Sequence, residues 1–355
     1  MNNKKIPYIE LIDKEELNTY AMIEPIECWF ELSYYDVGEF EIKARATINN
    51  LASLKKGQYV KIPNKRFIWV ITSVKYNFNA GGARIITATG YECKWLLSKR
   101  VIQTPIQLPL TLTNAINKLF NENIGTNALA TRKINNFELQ LINIDINLTD
   151  TQAPRGNLLE FVNNLLKTYK CGSYVLFENG KLKYTVIEGQ DKRQSVKFSQ
   201  SLDNLLSSEY LEDEADLATH ALVVSTIDDI DYTQEYNTGL IGINRSEILV
   251  NSNLSTKYTD ANGVEQETTP TSDLYKGWQV EEGKKELSNH INIVEVSGEI
   301  DLINSNYEFD NDFFIGDIVG VKDEYFNFSL TPRILKYTIS QDTKGKYTET
   351  ADYGE

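Results

Sequence analysis

A β pattern that occurs twice is the feature that most limits what this chain can fold into. In each copy a strand opens on a glycine, and a long strand–turn–strand segment follows. Copies that lie about 260 residues apart do not make a solenoid, in which repeats follow one another directly. They predict two related β-barrels or sandwiches with other domains inserted between them. The matched segments are 57–62 with 316–321, 71–76 with 333–340, and 87–92 with 348–355.

The first part of the chain alternates apolar and polar side chains, as half-buried strands do. The clearest runs are 27–34 and 39–46. A hairpin follows, and its Gly-containing turn is predicted at Asn79 to Gly82. These strands predict a first β-barrel tube domain over residues 1–103.

Between residues 104 and 195 the pattern changes to a mixture of helices and strands. Apolar residues recur at helical spacing over 112–120 and over 158–166, and Gly172 is placed to end the second helix. The Asn-Gly pair at 179–180 separates two alternating strands, which is a strong hairpin signal. The segment is therefore predicted to be an inserted α+β domain.

Residues 196–355 return to strands and predict a second β-barrel tube domain. Its clearest early strands are 220–227 and 246–250. A polar loop and a helix at 274–290 predict an inserted segment around 250–290. The fold class is thus α+β and β-rich, with two related β-barrel tube domains and smaller inserted domains.

Charge and cysteine content exclude several functions. With 36 basic and 50 acidic residues the net charge is -14, so the surface as a whole repels nucleic acid. Cys28, Cys93 and Cys171 cannot all pair and lack CxxC spacing, which predicts buried thiols in a reducing compartment. No apolar run approaches 18 residues and the N-terminus lacks a signal-peptide core, so we expect cytoplasmic synthesis and no membrane insertion.

No motif in the sequence carries a reaction. The two histidines, His220 and His290, have no zinc-binding partners at the required spacing. Cys171 follows a predicted helix, whereas a thiol nucleophile needs the helix N-terminus to lower its pKa. The acidic run 209–216 is typical of a solvated turn, and 228–231 lacks the Gly and the Glu of a calcium loop. We therefore predict no catalytic residue, no metal site and no cofactor.

Three segments resemble the tail-hub proteins of siphophages that infect Gram-positive hosts. The first is Gly90-Tyr-Glu-Cys-Lys-Trp-Leu-Leu-Ser-Lys-Arg-Val-Ile, in which a glycine and polar residues precede Leu-Leu and Ser-x-Arg. The second begins at Phe198 and runs to Tyr210, followed by Ala221-Leu-Val-Val. The third is the C-terminal strand pair that ends in Asp352-Tyr-Gly-Glu.

This resemblance implies a fold similar to the central hub of contractile-tailed phages. In such a hub, two tube domains per chain form a trimer of pseudo-sixfold symmetry that closes or lines the tail channel. The implied partners are two further copies of the chain, the ring of distal tail protein, the tape-measure protein, and receptor-binding or fibre proteins. DNA would only pass through the channel. The chain would be a short form that stops at the second barrel, without a lytic extension, in a virion assembled in the host cytoplasm.

The site residues that we predict are structural or interface groups. Gly90 ends the last long strand of the first barrel, and the residues after it turn the chain into the inserted domain. We expect Arg100 to anchor a carboxylate within or between subunits. The residues expected to pack at the two barrel ends are Trp95, Leu96 and Leu97 for the first, and Phe198, Leu202 and Leu205 for the second.

Two other functions compete with a structural hub. A tail-associated cell-wall hydrolase would use Cys171 or the acids at 209–216, and a carbohydrate-binding adhesin would place exposed aromatic residues in a cleft. The negative charge has a possible use in a hub, since a negative lumen lets DNA slide without sticking.

Overall fold

A computed structural model of the chain describes residues 5–78, 84–140, 144–148, 152–259, 265–290, 293–325 and 328–354. The turn predicted at Asn79 to Gly82 lies outside these residues. The chain divides into two compact units. The first, which we call the tube unit, consists of Met1–Glu209 and Val296–Glu355, and the second, the inserted unit, is Tyr210–Glu295.

Short strands greatly outnumber helices along the chain. The strands are β1 Ile9–Ile12, β2 Thr19–Ile23, β3 Glu27–Ser33, β4 Glu39–Arg45, β5 Tyr59–Lys61, β6 Trp69–Phe78, β7 Arg84–Glu92, β8 Val101–Ile102, β9 Ile106–Gln107, β10 Phe137–Gln140, β11 Gln152–Ala153, β12 Gly156–Asn157, β13 Gly172–Glu178, β14 Lys181–Ile187, β15 Lys197–Ser199, β16 Leu205–Asp213, β17 His220–Ile227, β18 Ile230–Asn237, β19 Glu247–Asn251, β20 Lys257–Thr259, β21 Glu265–Glu267, β22 Ile293–Asp301, β23 Gly320–Asp323, β24 Phe328–Leu330, β25 Arg333–Gln341 and β26 Tyr347–Gly354. The α-helices are α1 Ile48–Ser53, α2 Leu112–Asn123, α3 Leu158–Thr168 and α4 Asp273–Leu287, and 3₁₀ turns occupy Cys93–Lys99, Ala130–Arg132, Gln200–Leu202 and Gly242–Asn244.

One large sheet dominates the tube unit, with strand order β16-β22-β26-β25-β3-β4-β7-β6-β5-β1-β2. Alternate side chains of its strands point into a core, as in β4, where Phe40, Ile42 and Ala44 are buried. Phe30 packs against Trp69 at 4.9 Å and stacks on Phe40 at 5.5 Å between ring centroids. The period-2 pattern of the sequence therefore folds as predicted, with one apolar face on the core.

The repeated β pattern is a repeated piece of structure. Gly57 and Gly316 both adopt positive φ, 85° and 88°. Their amides donate to the carbonyls of Ile71 and Ile334, each at 2.7 Å. The pairing register then shifts immediately after Ile71 in β6 and after Ile334 in β25. A β-bulge at the same place in both copies marks a duplicated unit, since a bulge is a specific local irregularity.

Two predicted domain boundaries differ from the structure. Strands predicted to lie in separate barrels, over 1–103 and 196–355, share one sheet, because β25 pairs antiparallel with β3 from Lys336–Ser33 to Gln341–Cys28. The inserted unit spans Tyr210–Glu295, which is more than the predicted 250–290. Pairing between distant parts of a chain leaves no local signal, and this explains both differences.

The α+β segment contains the predicted helices and hairpin. Helices α2 and α3 bury the apolar faces expected from their spacing. Asn179 and Gly180 connect β13 to β14 with φ of 53° and 68°, as a two-residue turn of type I′ requires. The predicted role of Gly172 is wrong: Lys170, with φ of 54°, takes the left-handed position after α3. Gly172 instead lies in β13, where a Cβ atom would overlap the ring of Tyr34.

In the inserted unit, β17 lies between β18 and β19, and α4 packs on these strands. The predicted strands at 220–227 and 246–250 and the predicted helix are present. Gln279 of α4 donates to Ser225 Oγ at 3.1 Å and to the carbonyl of Tyr232 at 2.8 Å. Asp228 and Asp229 form the turn between β17 and β18 with φ of 51° and 62°.

Candidate functional site

The segment from Gly90 to Ile102 leads from the large sheet into the α+β segment. Gly90 lies in β7 between Phe40 of β4 and Ile71 of β6. A Cβ atom at Gly90 would overlap the carbonyl oxygen of Val70, so only glycine permits this approach of the strands. The 3₁₀ turn then begins at Cys93, directly after the strand ends.

The residues of this turn connect the sheet to the helices. Leu96 and Leu97 are buried in one core with Ile68 of the sheet and Leu158 of α3. Trp95 is half-buried, stacks on Tyr91 at 5.4 Å, and has the Lys99 ammonium 4.1 Å from its ring centroid. A turn packed on both sides in this way holds the two parts at a fixed angle.

Among the described residues, the contacts of Arg100 are with backbone carbonyls and not with the carboxylate that we expected. Its guanidinium donates to the carbonyl of Arg132 at 2.6 Å and to the carbonyl of Lys99 at 3.0 Å. These contacts fasten the end of the turn to the loop after α2. A contact between Arg100 and another subunit stays a prediction.

A buried ion pair connects the end of β7 to the turn, and it was not predicted from the sequence. Glu92 and Lys94 are fully buried, and Lys94 Nζ lies 3.6 Å from Glu92 Oε2. Lys94 also donates to the carbonyl of Ser33 at the end of β3 and to that of Ser173 in β13 at 2.9 Å. Glu92 accepts from the amide of Gly38 at 3.2 Å. The Lys94 ammonium thus connects β3 of the large sheet to β13 of the α+β segment.

Burial sets the electrostatics of this pair. Desolvation raises the pKa of Glu92 to about 7, although Lys94 and the amides of Gly38 and Ser33 act in the opposite direction. Desolvation also lowers the pKa of Lys94, against the field of Glu92. Each group therefore depends on the other to remain charged inside the protein.

A second junction is centred on Tyr34, which follows β3. Its hydroxyl lies 3.0 Å from the carbonyl of Lys170 and 2.9 Å from that of Glu188. Gly172 and Gly316 both approach the ring so closely that a Cβ atom would overlap it. The Arg333 guanidinium lies 5.3 Å from the ring centroid. Tyr34 therefore connects the α+β segment to the second copy of the repeated unit.

The predicted residues at the second barrel occupy three different environments. Phe198 of β15 is fully buried and packs edge-on against Tyr307 and Phe313, at 5.6 and 5.7 Å between centroids. Leu202 is 47% exposed in a 3₁₀ turn, and Leu205 is half-buried at the start of β16. Phe198 belongs to the core of the tube unit and Leu205 packs against that core. The interface role of all three residues stays a prediction.

The groups considered for catalysis are unsuited to it. Cys28, Cys93 and Cys171 are buried free thiols, as expected. Burial raises the pKa of the Cys171 thiol to about 11, with a smaller contribution from Glu188, so it is not a ready nucleophile at neutral pH. The acids of 209–216 are exposed, as predicted, but Glu209, Glu212 and Asp213 lie in strand β16 and not in the predicted turn. Among the described residues, no group of His, Cys, Asp and Glu is arranged to hold a metal ion.

The fold is one that phage tail proteins share. The chain matches a tail protein from Neisseria meningitidis MC58 with a TM-score of 0.54 and 11% identity, over 98% of this chain and 96% of that chain. It matches the 43 kDa tail protein of prophage MuSo2 from Shewanella oneidensis with a TM-score of 0.57 and 12% identity, over the same shares. It also matches a chain of the lidded Francisella PdpA-VgrG complex with a TM-score of 0.51 and 12% identity, over 98% of this chain and 52% of that chain.

The chain belongs to the Siphovirus ReqiPepy6 Gp37-like protein family, whose sequence model matches residues 13–355. The predicted resemblance to siphophage tail proteins is thereby confirmed, as is the β-rich α+β fold class. No curated protein sequence matches the chain. No helix in the described residues is long and apolar enough to cross a membrane.

Proposed function

We propose that the chain is a structural hub of the siphophage tail tip, and that three copies form it. The observation that carries this proposal is the repeated β unit, whose two copies are joined in one sheet by β3 and β25. Three chains supply six such units. A ring of six units has the symmetry needed to continue a hexameric ring of distal tail protein and to surround a channel.

In this role the chain acts by assembling with further copies of itself and with other proteins of the tail tip. The buried Glu92–Lys94 pair and the Tyr34 junction hold the sheet and the α+β segment in a fixed arrangement. A ring under mechanical load requires such rigidity. The hub would lie at the tail tip of the virion after assembly in the host cytoplasm. It would bind the distal tail ring on one side, and the tape-measure and receptor-binding proteins would complete the tip. The net charge of -14 would suit a lumen along which DNA passes.

Two features support a non-enzymatic role. The thiols are buried, and the dense acidic run at 209–216 is exposed to solvent and does not line a cleft. A cell-wall hydrolase would need an activated nucleophile or a pair of carboxylates held apart in a cleft.

Co-expression with the distal tail protein of the same phage tests the proposal. A complex of three copies of this chain with six of the distal tail protein, measured by native mass spectrometry, would support it. A chain that stays monomeric alone and in the presence of the ring would refute it. Release of peptide or glycan from purified host cell walls, lost in Cys171→Ala, would favour the hydrolase instead.

A further inference from the structure

Within the chain, the pairing of β3 with β25 joins the two repeats. Two other strands, β6 and β16, have edges at equivalent positions, and no strand pairs with these edges among the described residues. Strand β25 has β26 on one side. On its other side, Ile318 bridges Arg333 and the amide of Gly316 reaches Ile334, and β3 then covers the rest of the strand. This second stretch runs from Lys336 to Gln341 and pairs residue by residue with β3.

Strand β6 is the equivalent of β25 in the first repeat. It has β7 on one side, and on the other side β5 pairs with Trp69 and Val70 while the amide of Gly57 reaches Ile71. Past this point, among the residues that the structure describes, no strand pairs with this edge of β6 from Ser73 to Phe78. The edge also exposes two aromatic side chains: Tyr76 is 49% and Phe78 63% exposed.

Strand β16 is the equivalent of β3 in the second repeat. In the first repeat the order is β3-β4-β7, and in the second it is β16-β22-β26. The registers agree, because Ile42 of β4 faces Ala88 of β7 just as Ile300 of β22 faces Ala351 of β26. Strand β3 also pairs with β25 on its other edge, whereas β16 is the last strand of the described sheet. Its Leu206 is 55% exposed.

We infer that residues 205–209 of β16 pair antiparallel with residues 74–78 of β6 in the next copy of this chain. This inference rests on the proposed trimeric hub and names the strands that build it. Each copy has one such edge on β6 and one on β16, so the contact between copies is head-to-tail. The ring closes when β16 of the last copy pairs with β6 of the first copy. Closure also removes two long exposed edges, which would otherwise recruit other chains.

The charges at the two edges are compatible with this pairing. The internal junction is crossed by an ion pair between Lys336 and Glu31 at 3.2 Å. At the open edges, β6 carries the exposed Lys75 and β16 carries the exposed Glu209. Opposite signs favour the approach of the two strands and disfavour pairing of either edge with itself.

Disulfide trapping tests the contact directly. By the register of the internal junction, Ile339 faces Phe30, and Tyr76 is the counterpart of Ile339. Phe30 faces Phe40, and in the second repeat the carbonyl of Ser207 lies against Gly298, the counterpart of Phe40. Tyr76→Cys combined with Ser207→Cys, or with its neighbour Ser208→Cys, should therefore give cross-linked chains under mild oxidation, up to a closed trimer. Tyr76→Cys combined with Leu129→Cys is the matched control, since Leu129 is exposed but lies on no strand. The three native cysteines are buried and add little background.

A second variant separates this contact from the hub itself. Tyr76→Asp should weaken trimer assembly at least tenfold with an unchanged thermal midpoint of the chain, whereas Leu129→Asp should leave assembly intact. A wild-type trimer that tolerates Tyr76→Asp and gives no cross-link would overturn the strand pairing and leave the hub standing. A wild-type chain that never forms a trimer, even with the distal tail ring, would overturn both.

Discussion

Replacing Lys94 with methionine should destabilise the tube unit severely. The substitution keeps an unbranched apolar side chain of nearly the same length but removes the ammonium beside Glu92 and leaves the carbonyls of Ser33 and Ser173 without this donor. Removing one partner of a buried ion pair costs about 3–5 kcal/mol of folding free energy. A loss of that size is a large part of the stability of an ordinary domain.

The loss should depend on pH in a defined direction. Without Lys94, the desolvation of Glu92 is no longer offset by that charge, so its folded pKa rises above the wild-type value of about 7. A carboxyl with a raised folded pKa destabilises the protein as pH rises above its unfolded pKa, about 4.3. The difference between Lys94→Met and wild type should therefore shrink as pH is lowered from 8 to 5, by about 1.4 kcal/mol if the pKa rises from about 7 to 8 or above.

Guanidinium unfolding followed by tryptophan fluorescence at several pH values measures this effect. Lys99→Met is the matched control, because Lys99 is exposed and its ammonium lies over the Trp95 ring, a contact whose loss should cost about 1 kcal/mol or less. A Lys94→Met variant whose unfolding midpoint stays at the wild-type value, or whose loss is the same at pH 5 and pH 8, would refute the reasoning.

Two further perturbations test the packing of the tube unit. Gly90→Ala should lower the free energy of unfolding by about 1–3 kcal/mol, because the added Cβ overlaps a strand carbonyl. Gly277→Ala is the control: space is open at this position on α4, so the change should be neutral or stabilise by up to about 1 kcal/mol. Differential scanning calorimetry distinguishes the two variants. Iodoacetamide at pH 8 should not label the folded protein, because burial raises the pKa of Cys28 to about 12 and that of Cys171 to about 11, and Cys93 is buried as well. After denaturation, intact mass should show three labels per chain. Rapid labelling of the folded protein would contradict the assigned burial.

Local patterns in the sequence predicted the local structure well. The helical spacing over 112–120 and 158–166 and the Asn-Gly turn at 179–180 indicated elements that the structure contains. The repeat was visible because its glycines need positive φ, which restricts residue choice at Gly57 and Gly316. Such signals depend on neighbours in sequence, so they can be read without knowledge of the tertiary fold.

Features that depend on distant residues were missed. The pairing of β3 with β25 joins residues about 300 positions apart, and no property of either strand names its partner. Glu92 and Lys94 are charged, and charged residues are seldom fully buried, so neither was predicted to lie in the core. Among the described residues, Arg100 donates to backbone carbonyls instead of to a carboxylate, since a donor binds whichever acceptor the fold brings within reach.

The native mass of the unmodified protein in solution tests the central claim most directly. The hub account predicts a species of three times the 40.5 kDa chain mass that persists on dilution to micromolar concentration, or that forms on addition of the distal tail ring. A single 40.5 kDa species under both conditions would contradict it.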